Sequence, residues 1–497
     1  MKNDVKKIRA ADGSSVEFVV KSNPPAGAMK FVFFSPGKDY VVAFFKKPLD
    51  TLQRVRLERI AGKYRHDIFT KAGGDYWRQL FCWPEKLVEW EGRLGFVAPA
   101  YSQDFFFRKD PQRLGVEKDG KWFASAKLLR LVAAEEQGNF FNFLRICLKL
   151  SQAVRRLHAA GLAHSDLSYK NVLIDPCAGK ACVIDIDGLV VPGKYPPDVL
   201  GTQDFIAPEV IATRNLPLDQ RILPSQATDR HALAVLIYMY LLHRHPLRGG
   251  RFFGPDVDDE ENMLLGTSPL FIEHPTDRKN RNMKREYGQR EYKKYLPWID
   301  LQKFSAPRIC GPYLWKLFQQ AFIDGLIEPP NRPIANDWEI ALLQTFNMIL
   351  RCSNQKCPQR FFVADNSNRP KCPFCETEYK EPLLILNFYT IQKNTWRKDN
   401  SKLMVWDGLS LFKWHVCKNI FPNEKLQQDD KSRVGFFQFF QGNWILYNEK
   451  ILDMYEIMKD GGKRKIEPGT FVILADKTRI LLSDCENGRL AVVQVSR

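Results

Sequence analysis

The sequence has no long hydrophobic run. Its longest apolar stretch, Ala232–Leu242, is 11 residues long and ends in His243-Arg244-His245. A transmembrane helix needs about 20 apolar residues, so this stretch predicts a buried helix. No apolar segment of signal-peptide length follows the lysines of the first seven residues. We therefore expect a cytoplasmic protein without a membrane anchor.

The chain holds only 11 cysteines, an odd number, which does not favour a disulfide framework. Cytoplasmic thiols also stay reduced. Four cysteines cluster as two pairs, each beside a proline: Cys352, Cys357, Cys372 and Cys375. No histidine lies between His274 and His415, so the four thiolates predict a closed structural zinc site, with free thiols as the alternative. The other seven cysteines stand singly and predict core positions.

Charge of one sign is not concentrated in any single arm. The formal net charge of +17 is divided among the first 100 residues, the segment 277–294 and the residues after 384. This dispersal, and the scarcity of aromatic residues in the basic segment, disfavour nucleic acid as a partner. Tyr287 and Tyr292 keep that alternative open. The absence of repeats and low-complexity tracts excludes fibrous and wholly disordered chains.

The hydrophobic pattern changes along the chain. Alternation predicts strands over 14–20, 30–34 and 40–46, and helical spacing appears from Phe140 to Leu157. Helical patterns continue to about residue 350, and short strand patterns follow residue 384. The sequence thus predicts an α+β chain in four parts, which we place at residues 1–100, 101–350, 351–380 and 384–497.

One segment carries a chemical motif. A helix pattern ends near Gly161, and His164-Ser165-Asp166 follows, with Asn171 five residues after Asp166 and an apolar strand directly behind it. This order resembles the catalytic loop of protein kinases. The resemblance implies that Asp166 accepts the proton of an attacking hydroxyl and that Asn171 supplies an oxygen to a metal ion. The alternative is a capping aspartate beside a core histidine.

Further motifs follow in the order found in kinases. The strand Ala181–Ile184 leads into Asp185-Ile186-Asp187-Gly188, and the stretch Gly201–Glu209 resembles the end of a kinase activation segment. The resemblance implies that Asp185 chelates magnesium, with Asp187 as an assisting or alternative carboxylate. It also implies that Asp229 braces the catalytic loop and that Arg332 pairs with Glu209.

The first 100 residues then resemble the ATP-clamping lobe. Val42-Ala43-Phe44-Phe45-Lys46 resembles the kinase strand whose lysine contacts phosphates, with Lys47 as the fallback. Glu58 is the only acidic residue in 51–62 and is expected to pair with Lys46. Gly27 is the single glycine available for a phosphate-covering loop. Ala98 is expected in the hinge that receives adenine.

The whole chain resembles bacterial protein-kinase-like proteins with a C-terminal zinc ribbon, of the kind linked with tellurium-resistance phosphorylation modules. The resemblance implies a bilobal kinase fold with a β-rich N-lobe and a helical C-lobe, followed by a small zinc ribbon and a C-terminal β-sandwich. It implies ATP, Mg²⁺ or Mn²⁺, and structural Zn²⁺ as cofactors, with Lys170 stabilising the transferred phosphoryl group. Implied partners are a protein substrate, with serine or threonine favoured over tyrosine, a PP2C-type phosphatase and a von Willebrand A-domain protein.

Two other functions fit parts of the sequence. A nucleotide-binding pseudokinase scaffold would explain the poor glycine loop, although every charged catalytic position is filled. A zinc-ribbon nucleic-acid-binding protein would use the basic surface. The closing strands resemble a forkhead-associated sandwich, but the Arg and Ser of a phosphothreonine reader have no match, which favours an interaction domain.

The sequence predicts activity without phosphorylation of the activation segment. No Ser or Thr lies between Gly188 and Gly201, and Ser165 replaces the arginine that holds a phosphorylated loop in kinases. Phosphatase treatment should therefore leave the rate of ATP-dependent phosphoryl transfer largely unchanged, as measured with labelled ATP. A large drop in that rate would contradict the prediction.

Overall fold

The computed structural model of the chain describes residues 4–20, 29–71, 73–191, 193–197, 199–365, 367–393 and 395–496. The chain divides into two compact units. The first consists of Met1–Gly138, Asn142–Ser305 and Trp315–Ile340, and the second of Asn139–Phe141, Ala306–Leu314 and Ala341–Arg497. Over the described ranges, no helix is both long and apolar enough to cross a membrane.

The first unit opens with six antiparallel strands: β1 Asp4–Arg9, β2 Ser15–Val20, β3 Lys30–Phe34, β4 Tyr40–Phe45, β5 Lys86–Trp90 and β6 Arg93–Pro99. β1 and β2 form a hairpin, and the other four form a sheet in the order β3-β4-β6-β5. β2, β3 and β4 occur where alternation predicts strands. β1 has no buried residue, so no alternating apolar pattern in the sequence predicts it.

The faces of this sheet follow the period of two residues along each strand. Phe44 packs with Phe18 and Phe33 in one cluster, which includes residues of the β1–β2 hairpin. Ala43 and Phe45 belong to a separate cluster that includes Leu57 of the following helix. Neighbouring residues of β4 therefore point to opposite faces of the sheet.

Three helices connect β4 to β5: α1 Thr51–Arg59, α2 Arg65–Phe69 and α3 Gly74–Leu80, with a π-helical turn at Ile60–Tyr64. A capping box fixes the start of α1. The Asp50 carboxylate accepts from the Gln53 backbone N–H at 2.8 Å, and the Gln53 side chain accepts from the Asp50 N–H at 3.0 Å. The helix buries Arg56 and Leu57.

Helices dominate from residue 121 to residue 346. The helices are α4 Lys121–Ala124, α5 Ala126–Leu129, α6 Phe140–Ala159, α7 Pro208–Thr213, α8 Gln226–Leu242, α9 Val257–Glu261, α10 Lys284–Tyr287, α11 Ala306–Gln319, α12 Gly325–Ile327 and α13 Ala335–Phe346. The hairpin of β7 Val172–Asp175 and β8 Lys180–Val183 interrupts them. α8 buries its apolar run as predicted.

The second unit is rich in strands: β9 Ile349–Arg351, β10 Phe361–Val363, β11 Leu383–Gln392, β12 Thr395–Val405, β13 Ser410–Phe412, β14 Arg433–Phe440, β15 Asn443–Asn448, β16 Tyr455–Ile457, β17 Lys463–Lys465, β18 Phe471–Ile473, β19 Arg479–Leu481 and β20 Leu490–Ser496, with one short helix, α14 Lys413–Val416. A sheet in the order β12-β11-β20-β19-β16-β17 and a sheet in the order β13-β14-β15-β18 contribute to one core. Leu386 and Ala491 from the first sheet share that core with Phe437 and Leu446 from the second.

Four single cysteines depart from the predicted core positions: Cys177 and Cys485 are exposed, and Cys82 and Cys417 are only partly buried. The Sγ atom of Cys417 lies 3.6 Å from that of Cys485. The sequence does not predict that Cys417 and Cys485 are neighbours, because 68 residues separate them and only the sheet topology brings them together.

A buried ion pair ties the first turn of α7 to the region after α12. The Arg332 guanidinium is fully buried and donates to both carboxylate oxygens of Glu209, at 2.8 and 2.7 Å. It also donates to the backbone carbonyl of Gly325 at 2.8 Å. The predicted pairing of Arg332 with Glu209 is confirmed.

Glu209→Gln should destabilise the first unit by about 3 kcal/mol, because it leaves the buried Arg332 charge without a counter-ion. Thermal unfolding followed by circular dichroism should show a lower midpoint for this unit. The exposed Glu328 provides the matched control: Glu328→Gln should change stability by less than about 0.5 kcal/mol. Equal midpoints for the two variants would contradict the prediction.

Candidate active site

The Asp229 carboxylate holds the loop that follows α6. It accepts from the backbone N–H groups of His164, at 2.7 Å, and Ser165, at 3.0 Å, and His158 Nε2 lies 3.1 Å from the same carboxylate. Ser165 adopts a left-handed conformation with φ 67°. Such a conformation in a residue other than glycine persists only when surrounding contacts enforce it. The prediction that Asp229 braces this loop is confirmed.

Hydrogen bonds fix both carboxylate oxygens of Asp166. One oxygen accepts from the Thr202 backbone N–H at 2.6 Å and from the Thr202 hydroxyl at 2.9 Å. The other accepts from the Asn171 amide nitrogen at 2.9 Å, and this nitrogen also donates to the Asp166 carbonyl at 2.8 Å. The Asn171 amide is therefore oriented with its nitrogen toward Asp166, which leaves its oxygen facing away from that carboxylate.

A lysine that the sequence analysis did not single out lies between Asp185 and Asp187. Lys30 Nζ is 2.9 Å from one oxygen of Asp185 and 2.7 and 2.8 Å from the two oxygens of Asp187. Its ammonium also lies over the rings of Phe45 and Phe96, at 5.8 and 5.4 Å from their centroids. Cation–π attraction and the carboxylates thus act on the same ammonium.

The three charged groups alter each other's pKa. Burial would lower the pKa of Lys30, but the two carboxylates raise it above the ordinary lysine value. Burial would raise the pKa of Asp185, yet Lys30 lowers it. Burial, together with repulsion from Asp185, raises the pKa of Asp187 in spite of Lys30. Lys30 is therefore a firmly charged group.

The structure does not bring Lys46 to this cluster. Lys46 follows the last residue of β4, and its ammonium lies 5.3 Å from the centroid of Phe31. Phe31 pairs with Phe44, whereas Lys30 pairs with Phe45. Strand alternation could have indicated this. Ala43 and Phe45 point to the same face of the sheet, so Lys46, one residue further, points to the opposite face.

The other predicted ATP-binding residues are dispersed. Glu58 is exposed on α1, and Lys170 is exposed in the turn before Asn171. Ala98 is buried in β6, where it pairs with Val41. Gly27 lies outside the described residues. The roles assigned to these four residues stay predictions.

The backbone is strained at Asp185, beside the charged cluster. Asp185 adopts a left-handed conformation with φ 59°, directly after Ile184, whose carbonyl oxygen lies 2.9 Å from His164 Nε2. His164 thus contacts the backbone next to Asp185. Asp185, Asn171 and Asp166 present carboxylate and amide oxygens, the donor type that Mg²⁺ prefers.

A second cluster lies in the second unit. The sulfur atoms of Cys352, Cys357, Cys372 and Cys375 all lie within 4.8 Å of one another. The Cys352–Cys375 distance is 3.5 Å and the Cys357–Cys372 distance is 3.9 Å. Four thiolates around a tetrahedral zinc with Zn–S bonds of about 2.3 Å would be about 3.8 Å apart. The four cysteines therefore fit a zinc ion.

Known proteins resemble part of the chain. Residues 126–285 match the family model of the protein kinase domain. Death-associated protein kinase dapk-1 of Caenorhabditis elegans is 33% identical over 100 residues, and serine/threonine-protein kinase PknD of Chlamydia felis is 29% identical over 137 residues. These matches cover 20% and 23% of this chain, and 6% and 13% of the two relatives.

A crystal structure of a rhoptry kinase from Toxoplasma gondii aligns with a TM-score of 0.41 and 14% sequence identity, over 69% of this chain and 82% of that chain. The family match covers residues 126–285, which include Asp166, Asn171, Glu209 and Asp229 of the geometry described above. This part of the first unit is therefore similar to a protein kinase domain.

Proposed function

We propose that the protein is an ATP-dependent protein kinase that transfers the γ-phosphoryl group to a protein hydroxyl. The observation that carries this proposal is the position of Asp166, whose two oxygens are fixed by Thr202 and Asn171. A base must be oriented before it can accept a proton in a transition state. Phosphoryl transfer also needs a cation and metal-binding carboxylates near the phosphates. Lys30 and its neighbours Asp185 and Asp187 supply these groups.

The reaction assigns one role to each group. The substrate hydroxyl oxygen forms a bond to the γ-phosphorus, the bond from that phosphorus to the β–γ bridging oxygen breaks, and ADP leaves. Asp166 accepts the hydroxyl proton. Asn171 and Asp185 would hold magnesium, or manganese, which neutralises charge on the β- and γ-phosphates when bound.

Lys30 takes the phosphate-binding role predicted for Lys46. It is a charged group next to Asp185, under the aromatic rings of Phe45 and Phe96. Lys170, in the turn immediately before Asn171, is the candidate for stabilising the transferred phosphoryl group.

Serine or threonine is the proposed acceptor. Two observations support it: Gly201–Glu209 resembles a protein-substrate segment, and the Chlamydia relative is a serine/threonine-protein kinase. The strand-rich second unit is proposed to recruit partners. On the resemblance to tellurium-resistance modules, those partners are a PP2C-type phosphatase and a von Willebrand A-domain protein.

The kinase proposal is tested with γ-labelled ATP, magnesium and a mixed protein substrate. Asp166→Ala should lower the transfer rate by about 10³-fold, because it removes the base and its orientation. Asp185→Ala should also abolish detectable transfer, and Lys30→Met should lower the transfer rate at subsaturating ATP. Asp219→Ala, at an exposed aspartate in the same unit, is the matched control and should retain the wild-type rate.

The same assay separates the alternatives. Wild-type protein that binds nucleotide but transfers no label would contradict the kinase and support a pseudokinase scaffold. Tight binding of RNA or DNA, with no nucleotide binding, would support the nucleic-acid alternative. Full activity in Asp166→Ala would contradict the assigned mechanism even if the wild type transfers label.

We also propose that the four clustered cysteines hold a structural zinc ion as part of a small zinc ribbon. Cys352 and Cys357 lie between the paired strands β9 and β10, and Cys372 and Cys375 lie in the turn that follows. All four ligands would come from the protein, so the ion would stabilise this segment and would not catalyse.

Purified protein should contain about one zinc ion per chain, as in other four-thiolate sites. Cys372→Ser should remove it, because a neutral hydroxyl is a poor zinc ligand, and elemental analysis measures the loss. Cys177→Ser, at an exposed cysteine outside the cluster, is the matched control and should keep the metal. Zinc-free wild-type protein after expression in zinc-supplemented medium would contradict the proposal.

A further inference from the structure

The two carboxylates that contact Lys30 are not equivalent. Asp187 presents both of its oxygens to the ammonium, at 2.7 and 2.8 Å, and its side chain is 10% exposed. Asp185 contacts Lys30 through one oxygen at 2.9 Å, and its side chain is 50% exposed. Both oxygens of Asp187 are thus engaged by Lys30, whereas Asp185 has one oxygen without that contact and more access to solvent.

Helix α1 does not provide a carboxylate to Lys30. Its one acidic residue, Glu58, is exposed, and the charged residue that it buries is Arg56. Arg56 is 5% exposed, and its guanidinium donates to the Pro196 carbonyl at 2.8 Å. The inward-facing charge of α1 is thus a cation directed at the activation segment, which could only repel Lys30.

The position of Asp187 in the chain connects it to the metal-binding aspartate. Asp187 lies in the 3-10 turn Ile186–Gly188, which begins immediately after the left-handed Asp185. Only Ile186 therefore separates the group that contacts Lys30 most closely from the group assigned to magnesium. A change in the backbone of this turn would move both carboxylates.

We propose that Asp187 is a positioning residue that holds Lys30 in place to contact the nucleotide phosphates, a task for which helix α1 provides no carboxylate. Asp187 itself does not bind the metal ion. The consequence is regulatory: the lysine is anchored to the base of the activation segment, so a displacement of α1 leaves its ion pair intact. This inference rests on the proposed kinase function, since it assigns a residue to the same site.

The full chain is tested through ATP kinetics and through Mg-ATP affinity measured by calorimetry. Asp187→Asn and Lys30→Met should each raise the KM for ATP and the Kd for Mg-ATP by about tenfold, because both remove the positioned cation. The double variant should be within about twofold of Lys30→Met alone, because Asp187 acts only through Lys30. Additive effects of the two changes would overturn the proposal.

Magnesium dependence separates positioning from metal binding. At saturating ATP, Asp185→Asn should raise the magnesium concentration for half-maximal activity by about tenfold or more, and Asp187→Asn by less than about twofold. A tenfold rise in Asp187→Asn would make it a metal ligand and overturn the proposal. An increase of the ATP KM in Glu58→Gln as large as that in Asp187→Asn would also overturn the proposal.

Controls address folding and the underlying function. Glu89→Gln removes an exposed carboxylate that pairs with Arg54 of α1 and should leave ATP affinity unchanged. If Asp187→Asn does not fold, Lys30→Met compared with the double variant still tests the pairing, because neither leaves a buried lysine unpaired. The wild type could transfer no phosphoryl group while Asp187→Asn and Lys30→Met show coupled losses of Mg-ATP affinity. That result would refute the kinase function and support the positioning role of Asp187. Normal transfer with unaltered affinity in Asp187→Asn would refute only the positioning.

Discussion

The candidate active site depends on one buried carboxylate acting on the backbone. Asp229, on α8, accepts from two successive N–H groups of the loop after α6, and so fixes the peptide between His164 and Ser165. That constraint enforces the left-handed conformation of Ser165 and directs Asp166 toward Thr202 and Asn171. The precision of the loop comes from the helix beneath it, because α8 is buried along nearly its whole length.

The distribution of buried charge explains how the two halves of the first unit cooperate. Lys30 comes from the opening sheet and its carboxylates come from the turn after β8. Arg56 of α1 donates to the Pro196 carbonyl of the same segment at 2.8 Å. The segment that begins at Asp185 thus receives one cation from a strand and one from a helix. Because removing one partner of a buried pair is costly, each contact favours a single position of this segment.

The sequence was most informative where function needs residues that are close in the chain. His164, Asp166 and Asn171 lie within one loop, and their spacing alone predicts their association. Arg332 and Glu209 are 123 residues apart, and only the family resemblance connected them. Lys30 could not be found by motif, since its relation to Phe45 depends on strand register, which long-range packing sets. The polar strand β17 could not be predicted from an apolar pattern, because none of its side chains is buried.

The aromatic residue at position 45 has a consequence for how this lobe can change over evolutionary time. Phe45 occupies this position of β4, and the cation of the charged cluster, Lys30, comes from the neighbouring strand, with the Asp187 carboxylate 157 residues away in the chain. Loss of Lys30 alone would leave two carboxylates without their cation, and loss of Asp187 alone would leave Lys30 with one half-exposed counter-ion, so Lys30 and Asp187 are expected to be inherited or lost together. Glu58 of α1 makes no such pair with Lys30, so we expect this position to tolerate substitution.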